Sequence, residues 1–261
     1  MVVNEQLSPE VDIKKELPKI FKKGFIKSLR SGDTGIGFTI ETELGIKENN
    51  LEDFDLTYDG AKVELKSQRE HATSNITLFT KEPEKGNFKD ADLIMKYGYI
   101  DAEGRKGLKI TLTTKDFNPQ GFKIDIDEKE EKINILHNKD GDIWHYHLDD
   151  VFSKLKKKLS KNLLVVIAES KKERGKEYFH YKKAVYLSEL SQKNFIKLLK
   201  EGKFVVEFRM HLKSNGVARN HGTGFRLNEH YLVELYKRRE VLECGFNFFQ
   251  YNNILFINSC S

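Results

Sequence analysis

The sequence predicts an α/β fold (α+β mixed), and three observations carry that prediction. Leu163–Ala168 (Leu-Leu-Val-Val-Ile-Ala) is a continuous apolar run, the mark of a central strand buried on both sides. Lys109–Thr114 is a further strand candidate, and the period-2 alternation of half-buried strands occurs at Phe122–Asp127, Lys132–His137 and Phe204–Leu212. Amphipathic helical segments are interspersed among them.

In chain order, a helix is predicted over residues 9–30, starting near Ser8-Pro9, with Ile13, Leu17, Ile20, Phe21 and Phe25 as apolar positions. The turn-rich loop Ser31-Gly32-Asp33-Thr34-Gly35-Ile36-Gly37 leads into a second helix around Phe38–Leu44. Asp55–Lys66 reads as a turn followed by a strand, and Asn75–Thr80 as another strand. The acidic turn Glu128–Glu131 joins Phe122–Asp127 to Lys132–His137 in a hairpin with one solvated face. Asp149–Leu159 is amphipathic, with Val151, Phe152, Leu155 and Leu159 inward and a lysine-rich outer face. Helices are also predicted at Ser188–Lys200 and Asn228–Glu240. The last 18 residues, Cys244–Ser261, carry no charge, and Phe246–Tyr251 with Ile254–Ile257 suggests a hairpin around Asn252-Asn253, covering core or serving self-association.

Composition narrows the function classes. The 261 residues are 38% hydrophobic and 33% charged, enough for one large domain or two lobes. The net charge is +5, yet Lys and Arg total 45, so basic patches for nucleic acid can coexist with acidic ones. No apolar run approaches the roughly 18 residues of a membrane span, and no secretory signal opens the chain. Cys244 and Cys260, the only cysteines, have no zinc-site spacing. A cytoplasmic protein with free thiols is the expectation.

Two constellations could carry chemistry. In Asp55…Glu64-Leu65-Lys66, strand alternation puts Glu64 and Lys66 on one face with Leu65 directed inward. Two charges on one face of a strand suit a divalent metal: Asp55, Glu64 and the Leu65 carbonyl supply hard oxygen ligands for magnesium. Lys66 would then hold the attacking water, as phosphodiester hydrolysis requires. Glu41 could add a supporting carboxylate, and Asp53 and Asp59 stand as rivals to Asp55. In Arg219-Asn220-His221-Gly222-Thr223-Gly224-Phe225-Arg226, two glycines allow close backbone approach while the polar side chains can donate to base edges or phosphates. Glu207 and Arg209, sharing a face of the preceding strand, could read cytosine and guanine edges.

Six ordered segments resemble the MvaI/BcnI-type restriction endonucleases, relatives of the mismatch-repair nicking enzyme MutH. They are Gly32–Gly37 with Glu41; Asp55 with Glu64-Leu65-Lys66; Leu78–Lys81; Phe122–Asp127; Ala168–Lys171; and Asn220–Arg226. Together they span about residues 20–243. The resemblance implies a MutH-like core with a mixed central sheet flanked by helices and a second, DNA-recognition lobe. It implies a monomer with two lobes gripping duplex DNA: a catalytic lobe at about 1–85 and 149–200 and a recognition lobe at about 86–148 and 201–243, while residues 244–261 form an uncharged hairpin or extension outside the resemblance. By position, Asp55, Glu64 and Lys66 take active-site roles with Glu41 in support. His221, Arg226, Asn220, Arg219, Arg209, Glu207, Lys81 and Thr34 become the DNA-contacting residues.

The activity so implied is magnesium-dependent cleavage (manganese substituting) of double-stranded DNA at a short G·C-containing pseudo-palindrome; members of the family cut sites such as CC(A/T)GG or CC(C/G)GG. Cleavage would leave 5′-phosphate and 3′-hydroxyl ends, with a companion methyltransferase in the same restriction-modification system. A MutH-like strand-nicking repair enzyme and a catalytically silent DNA-binding module are the alternatives. The sequence departs from the family in the longer Asp55–Glu64 spacing, in Arg219-Asn220-His221 where some relatives carry a second histidine, and in the uncharged tail.

Overall fold

The computed structural model describes residues 8–47, 54–72 and 74–243, with 254–258 as backbone. The chain divides into two compact units, each assembled from separated stretches: 1–72, 159–190 and 236–261 form the first, 73–158 and 191–235 the second. Both units mix helices with sheet, as the sequence predicts, and no helix among the described residues is long and apolar enough to cross a membrane.

The first unit is built on a mixed sheet whose strands run in the order 254–258, Tyr236–Glu243, Lys176–Leu190, Asn162–Glu173, Ala61–Arg69, Leu56–Tyr58, with Phe25–Lys27 also pairing to Lys176–Leu190. Asn162–Glu173 lies parallel to Ala61–Arg69 and antiparallel to Lys176–Leu190. Leu163–Ala168 is therefore central, and Leu163, Leu164, Val165, Val166 and Ala168 are buried. Two helices, Ile13–Lys22 and Gly35–Glu43, contribute Ile13, Leu17, Ile20, Phe21, Ile36 and Ile40 to one core with Leu65, Leu164, Val166 and Phe179. Burial of each such aliphatic side chain contributes about 1.5–3 kcal/mol, which fixes the helix beside the strand carrying Glu64 and Lys66.

The helix predicted over 9–30 is shorter than expected. Asp12 caps it by accepting from the Lys15 N–H, and it ends at Lys22 because Gly24 (φ 69) turns the chain into the Phe25–Lys27 strand. The helix predicted at Asn228–Glu240 is absent. Glu229–Leu235 forms a 3-10 turn, and Tyr236–Glu243 is a strand pairing with Lys176–Leu190. The helix-forming residues Lys237-Arg238-Arg239-Glu240 yield to the buried anchors Tyr236, Val241 and Leu242 and to a full ladder of hydrogen bonds. Of the expected C-terminal hairpin, residues 254–258 pair parallel to Tyr236–Glu243. Cys244, Cys260, Phe246–Tyr251 and the Asn252-Asn253 turn lie outside the described residues.

The second unit holds two antiparallel sheets. One runs Glu84–Lys85, Gly141–His147, Lys132–His137, Phe122–Asp127; the other runs Asn75–Thr80, Gly224–Asn228, Phe204–Leu212, Lys106–Leu112, Tyr99–Ile100, with Ala218–Asn220 also on Phe204–Leu212. The expected hairpin of 122–127 and 132–137 forms in register from Phe122↔His137 to Asp127↔Lys132, with alternate residues buried. Aromatic contacts join the sheets: Phe208 lies 5.5 Å from Trp144, and Phe225 lies 5.2 Å from Tyr146. Asn75–Thr80 and Leu148–Lys158 belong to this unit, whereas the sequence placed them with the catalytic residues. Strand pairing decides the first case, since Asn75–Thr80 pairs with Gly224–Asn228.

Candidate active site

The strand carrying Glu64 and Lys66 is produced by a tight hairpin. Asp59 (φ 48) and Gly60 (φ 70) both occupy the left-handed region, the conformation of a two-residue type I′ turn, for which Asp-Gly is a preferred pair. The ladder runs Tyr58↔Ala61, Thr57↔Lys62, Leu56↔Val63. Beyond Leu56 the outer strand ends, and the Leu65 N–H finds its partner in a side chain: the Asp55 carboxylate accepts it at 2.6 Å through Oδ2. Asp55 thus completes the backbone pairing of the strand that presents Glu64 and Lys66. Leu65 is buried, as alternation requires, while Glu64 and Lys66 remain accessible.

Glu64 sits between two cations. Lys66 Nζ donates to one carboxylate oxygen at 2.6 Å, and Lys161 Nζ lies 3.7 Å from the other. Asp55 is pushed above the ordinary carboxylate range. Burial is the main cause and the Glu64 charge adds to it, while the Leu65 N–H, Lys66 and Lys161 act in the opposite direction. A partly buried carboxylate whose ionisation is disfavoured, beside a second carboxylate, gains from a nearby cation. Two carboxylates and a main-chain carbonyl would offer an all-oxygen donor set of the kind magnesium takes, so the chemistry of these residues is compatible with that metal.

Among the rivals of Asp55, Asp59 stands exposed at the tip of the turn, and Asp53 lies outside the described residues. Glu41 projects from the Gly35–Glu43 helix toward the same strand. A Cβ built on Gly37 would stand 3.6 Å from Glu41 Oε1 and 3.5 Å from Ser67 Oγ. That puts the Glu41 carboxylate near Ser67, the residue after Lys66. Thr34 occupies the N-cap of this helix without a side-chain capping bond. Lys161 was not legible locally, because it reaches Glu64 only through the parallel pairing of Asn162 with Val63. Tyr236 was likewise unforeseen: its phenol is raised above its ordinary range by burial and by the Glu64 charge.

The same unit contains a basic pocket of about 640 Å3, lined by Lys27, Arg30, Arg69, Lys172 and Lys176 among others. Two acids also line it, Asp33 and Glu177, and Glu177 is taken up by Arg69 in a bidentate pair at 3.0–3.1 Å. The remaining lysines give the pocket a surplus of positive charge suited to phosphate.

The second constellation assembles in the second unit. Gly222 has φ 84, and a Cβ there would approach the Thr80 side chain at 3.1 Å, so the loop needs glycine both for conformation and for packing. Arg209 donates to the Gly222 carbonyl at 3.2 and 3.3 Å and lies 3.5 Å from the His221 carbonyl. Asn220 donates to Glu82 at 2.9 Å and accepts from the Gly222 N–H, while the Thr223 N–H donates to Glu82 at 3.2 Å. Arg226 pairs with Glu207 at 2.8 Å and donates to the Asn75 carbonyl at 2.7 Å. Lys81 pairs with Asp150 at 3.1 Å. The His221 ring lies 5.5 Å from the His211 ring, and Arg219 pairs in register with His211. Arg209, Arg226, Glu207 and Asn220 therefore spend hydrogen bonds on holding this loop and its strands, a role sequence pattern did not separate from base contact.

A hairpin that presents Asp, Glu and Lys from one sheet edge, with an arginine-and-histidine loop in a separate unit, is the equipment of a DNA-cleaving enzyme. The MvaI/BcnI restriction endonuclease family matches residues 14–236, and the chain belongs to that family; as a member it is a type II site-specific deoxyribonuclease. Among solved structures, the restriction endonuclease MvaI in complex with its cognate DNA substrate is similar at 29% identity, over 88% of this chain and 97% of that one, with a TM-score of 0.58. MvaI in the absence of DNA is similar at 27% identity, over 88% and 95%, with a TM-score of 0.59. No curated protein sequence matches the chain.

Proposed function

We propose that this endonuclease hydrolyses phosphodiester bonds of double-stranded DNA at a short, G·C-containing pseudo-palindrome, using a magnesium ion held by Asp55, Glu64 and the Leu65 carbonyl. The observation that carries the reading is the Asp55–Leu65 hydrogen bond, which anchors one carboxylate against the strand bearing the other. Magnesium bound there, or manganese in its place, would supply charge neutralisation at the scissile phosphate and ease deprotonation of the attacking water. Lys66, already within hydrogen-bonding distance of Glu64, orients the attacking water or lowers its pKa by proximity. Lys161 offsets the negative charge that Asp55 and Glu64 bring together. Glu41 supports the site from the neighbouring helix.

The products of this reading are 5′-phosphate and 3′-hydroxyl ends. The first unit acts as the catalytic lobe, with Thr34 near the DNA. The second unit acts as the recognition lobe: His221 and Arg219 read the duplex from a loop that Arg209, Asn220 and Gly222 shape, with Lys81, Arg226 and Glu207 alongside. The enzyme acts as a cytoplasmic monomer, and its companion methyltransferase protects host DNA without binding it.

Incubation with supercoiled plasmid in magnesium tests the reading. Linear fragments with a common terminal sequence are expected from the wild type, and none from Glu64→Gln or Lys66→Ala. Open circles alone would favour strand nicking. Wild-type cutting by either variant would overturn the site assignment.

A further inference from the structure

Glu84 and His145 are paired residues on neighbouring antiparallel strands of the second unit. Alternation along Gly141–His147 directs His147 to the same face as His145. His145 Nε2 lies 3.2 Å from one Glu84 oxygen, and His147 Nε2 lies 3.3 Å from the other. The ligand atoms of all three side chains fall within 4.8 Å of one another. The two imidazoles stand nearly edge-on, at 87° with centroids 5.4 Å apart, so their nitrogens converge without the rings stacking.

Zinc bonds to histidine nitrogen and carboxylate oxygen of about 2.0–2.1 Å imply a tetrahedral edge of about 3.3 Å. Each histidine already stands at about that distance from a Glu84 oxygen, though from different oxygens of the carboxylate. The three ligand atoms lie within 4.8 Å of one another, close enough for side-chain rotation to bring them onto one ion. Two imidazoles with one carboxylate also form a borderline-soft donor set, which suits zinc, nickel or copper and not magnesium. We propose that Glu84, His145 and His147 form a second metal site, specific for zinc-class ions, with its fourth position left to water. Such an ion ties the two-residue strand Glu84–Lys85 to Gly141–His147, with which it pairs at two positions. The site shares no residue with the nuclease centre, and the inference does not depend on how DNA is cut.

The competing account is a pair of ordinary histidine–glutamate ion pairs, which would bind no zinc. Tag-free, full-length protein stripped with chelator and titrated with zinc chloride separates the two. One equivalent of zinc is expected to bind the wild type and to raise its melting temperature, with millimolar magnesium unable to displace it. Loss of an outer-sphere partner typically costs a metal site about 10–100-fold in affinity, so removing a direct ligand by His147→Ala or Glu84→Gln should weaken zinc binding by at least that much. The Glu64→Gln variant should keep the equivalent. The proposal fails if the wild type takes up no zinc, or if the equivalent survives in both His147→Ala and Glu84→Gln. It also fails if Glu64→Gln abolishes the binding instead. Both ligand substitutions lie at exposed positions, and the wild-type titration stands even if one variant folds poorly.

Discussion

The Asp55 carboxylate accepts the Leu65 main-chain N–H at 2.6 Å, so the group proposed to bind metal is also the group that completes the strand bearing Glu64 and Lys66. Its two roles pull its charge in opposite directions. The N–H favours the ionised form, whereas burial and the Glu64 charge disfavour it and prevail. An acid whose folded-state pKa is raised costs stability as pH rises from the ordinary carboxylate range through the raised value, and the full cost persists above it. In chelator at pH 7, Asp55→Asn should therefore melt no lower than wild type, provided the asparagine oxygen keeps the Leu65 bond. The advantage should vanish at a pH below the carboxylate range. Magnesium should raise the melting temperature of wild type and leave that of Asp55→Asn unmoved. A thermal-shift matrix over pH and magnesium reads all three; a large destabilisation of Asp55→Asn in chelator at pH 7 would contradict the account.

Lys66 is bound to Glu64 at 2.6 Å but is about half exposed, so the pair adds little to stability, of order 0–1 kcal/mol. Its value lies in proton handling at the attacking water, for which a positioned acid–base group contributes about 10²–10⁴-fold. Lys66→Ala is expected to lose at least about 100-fold in single-turnover cleavage while its melting temperature stays within a few degrees. Lys66→Arg keeps the charge but replaces a compact ammonium with a larger planar guanidinium, and it should recover little of the rate. Quench-flow kinetics at saturating enzyme would show recovery in Lys66→Arg if charge alone mattered.

These residues were legible because the signals that position them are local. Asp59-Gly60 sets the turn, alternation sets the face of Glu64 and Lys66, and the apolar run at Leu163–Ala168 marks the strand beside them. What escaped is carried by pairing between distant segments. Tyr236–Glu243 has a helix-forming composition and becomes a strand only because Lys183–Leu190 offers it a ladder. Lys161 reaches Glu64 across almost a hundred residues of sequence. Glu84 meets His145 and His147 only where two remote strands pair. The Arg226–Glu207 pair shows a different limit: alternation put Glu207 on a strand and the family resemblance put Arg226 in the recognition segment, but their hydrogen bonding to each other is a matter of side-chain reach.

Gly222 gives the sharpest test of the recognition loop. Alanine there would have to hold φ near 84 and bring its Cβ to 3.1 Å from Thr80. A left-handed non-glycine residue costs about 1–3 kcal/mol. The loop can relieve that strain only by shifting the backbone between His221 and Thr223, where Arg209 and Glu82 hold it. Gly222→Ala should therefore weaken binding to cleavable DNA by about 10–100-fold, equivalent to about 1–3 kcal/mol, and leave weak binding to unrelated duplex nearly unchanged. Competition mobility-shift assays would report the ratio; equal losses on both DNAs would mean that the loop contributes no specificity.

The basic pocket of the first unit makes a prediction that salt can decide. Lys172 and Lys176 line it, near the end of a long hairpin. If each neutralises a DNA phosphate, each releases counterions and adds about 0.9 to the slope of log affinity against log salt. Lys172→Ala combined with Lys176→Ala should lower that slope by about 2 and weaken binding at low salt on every sequence alike. Cleavage position should not move, because phosphate contacts set affinity and base contacts set register on sequence. Binding isotherms from 50 to 200 mM salt, run with sequencing of the cut ends, test both halves. An unchanged slope would remove the pocket from the DNA path, and a shifted cut site would assign it a part in recognition instead.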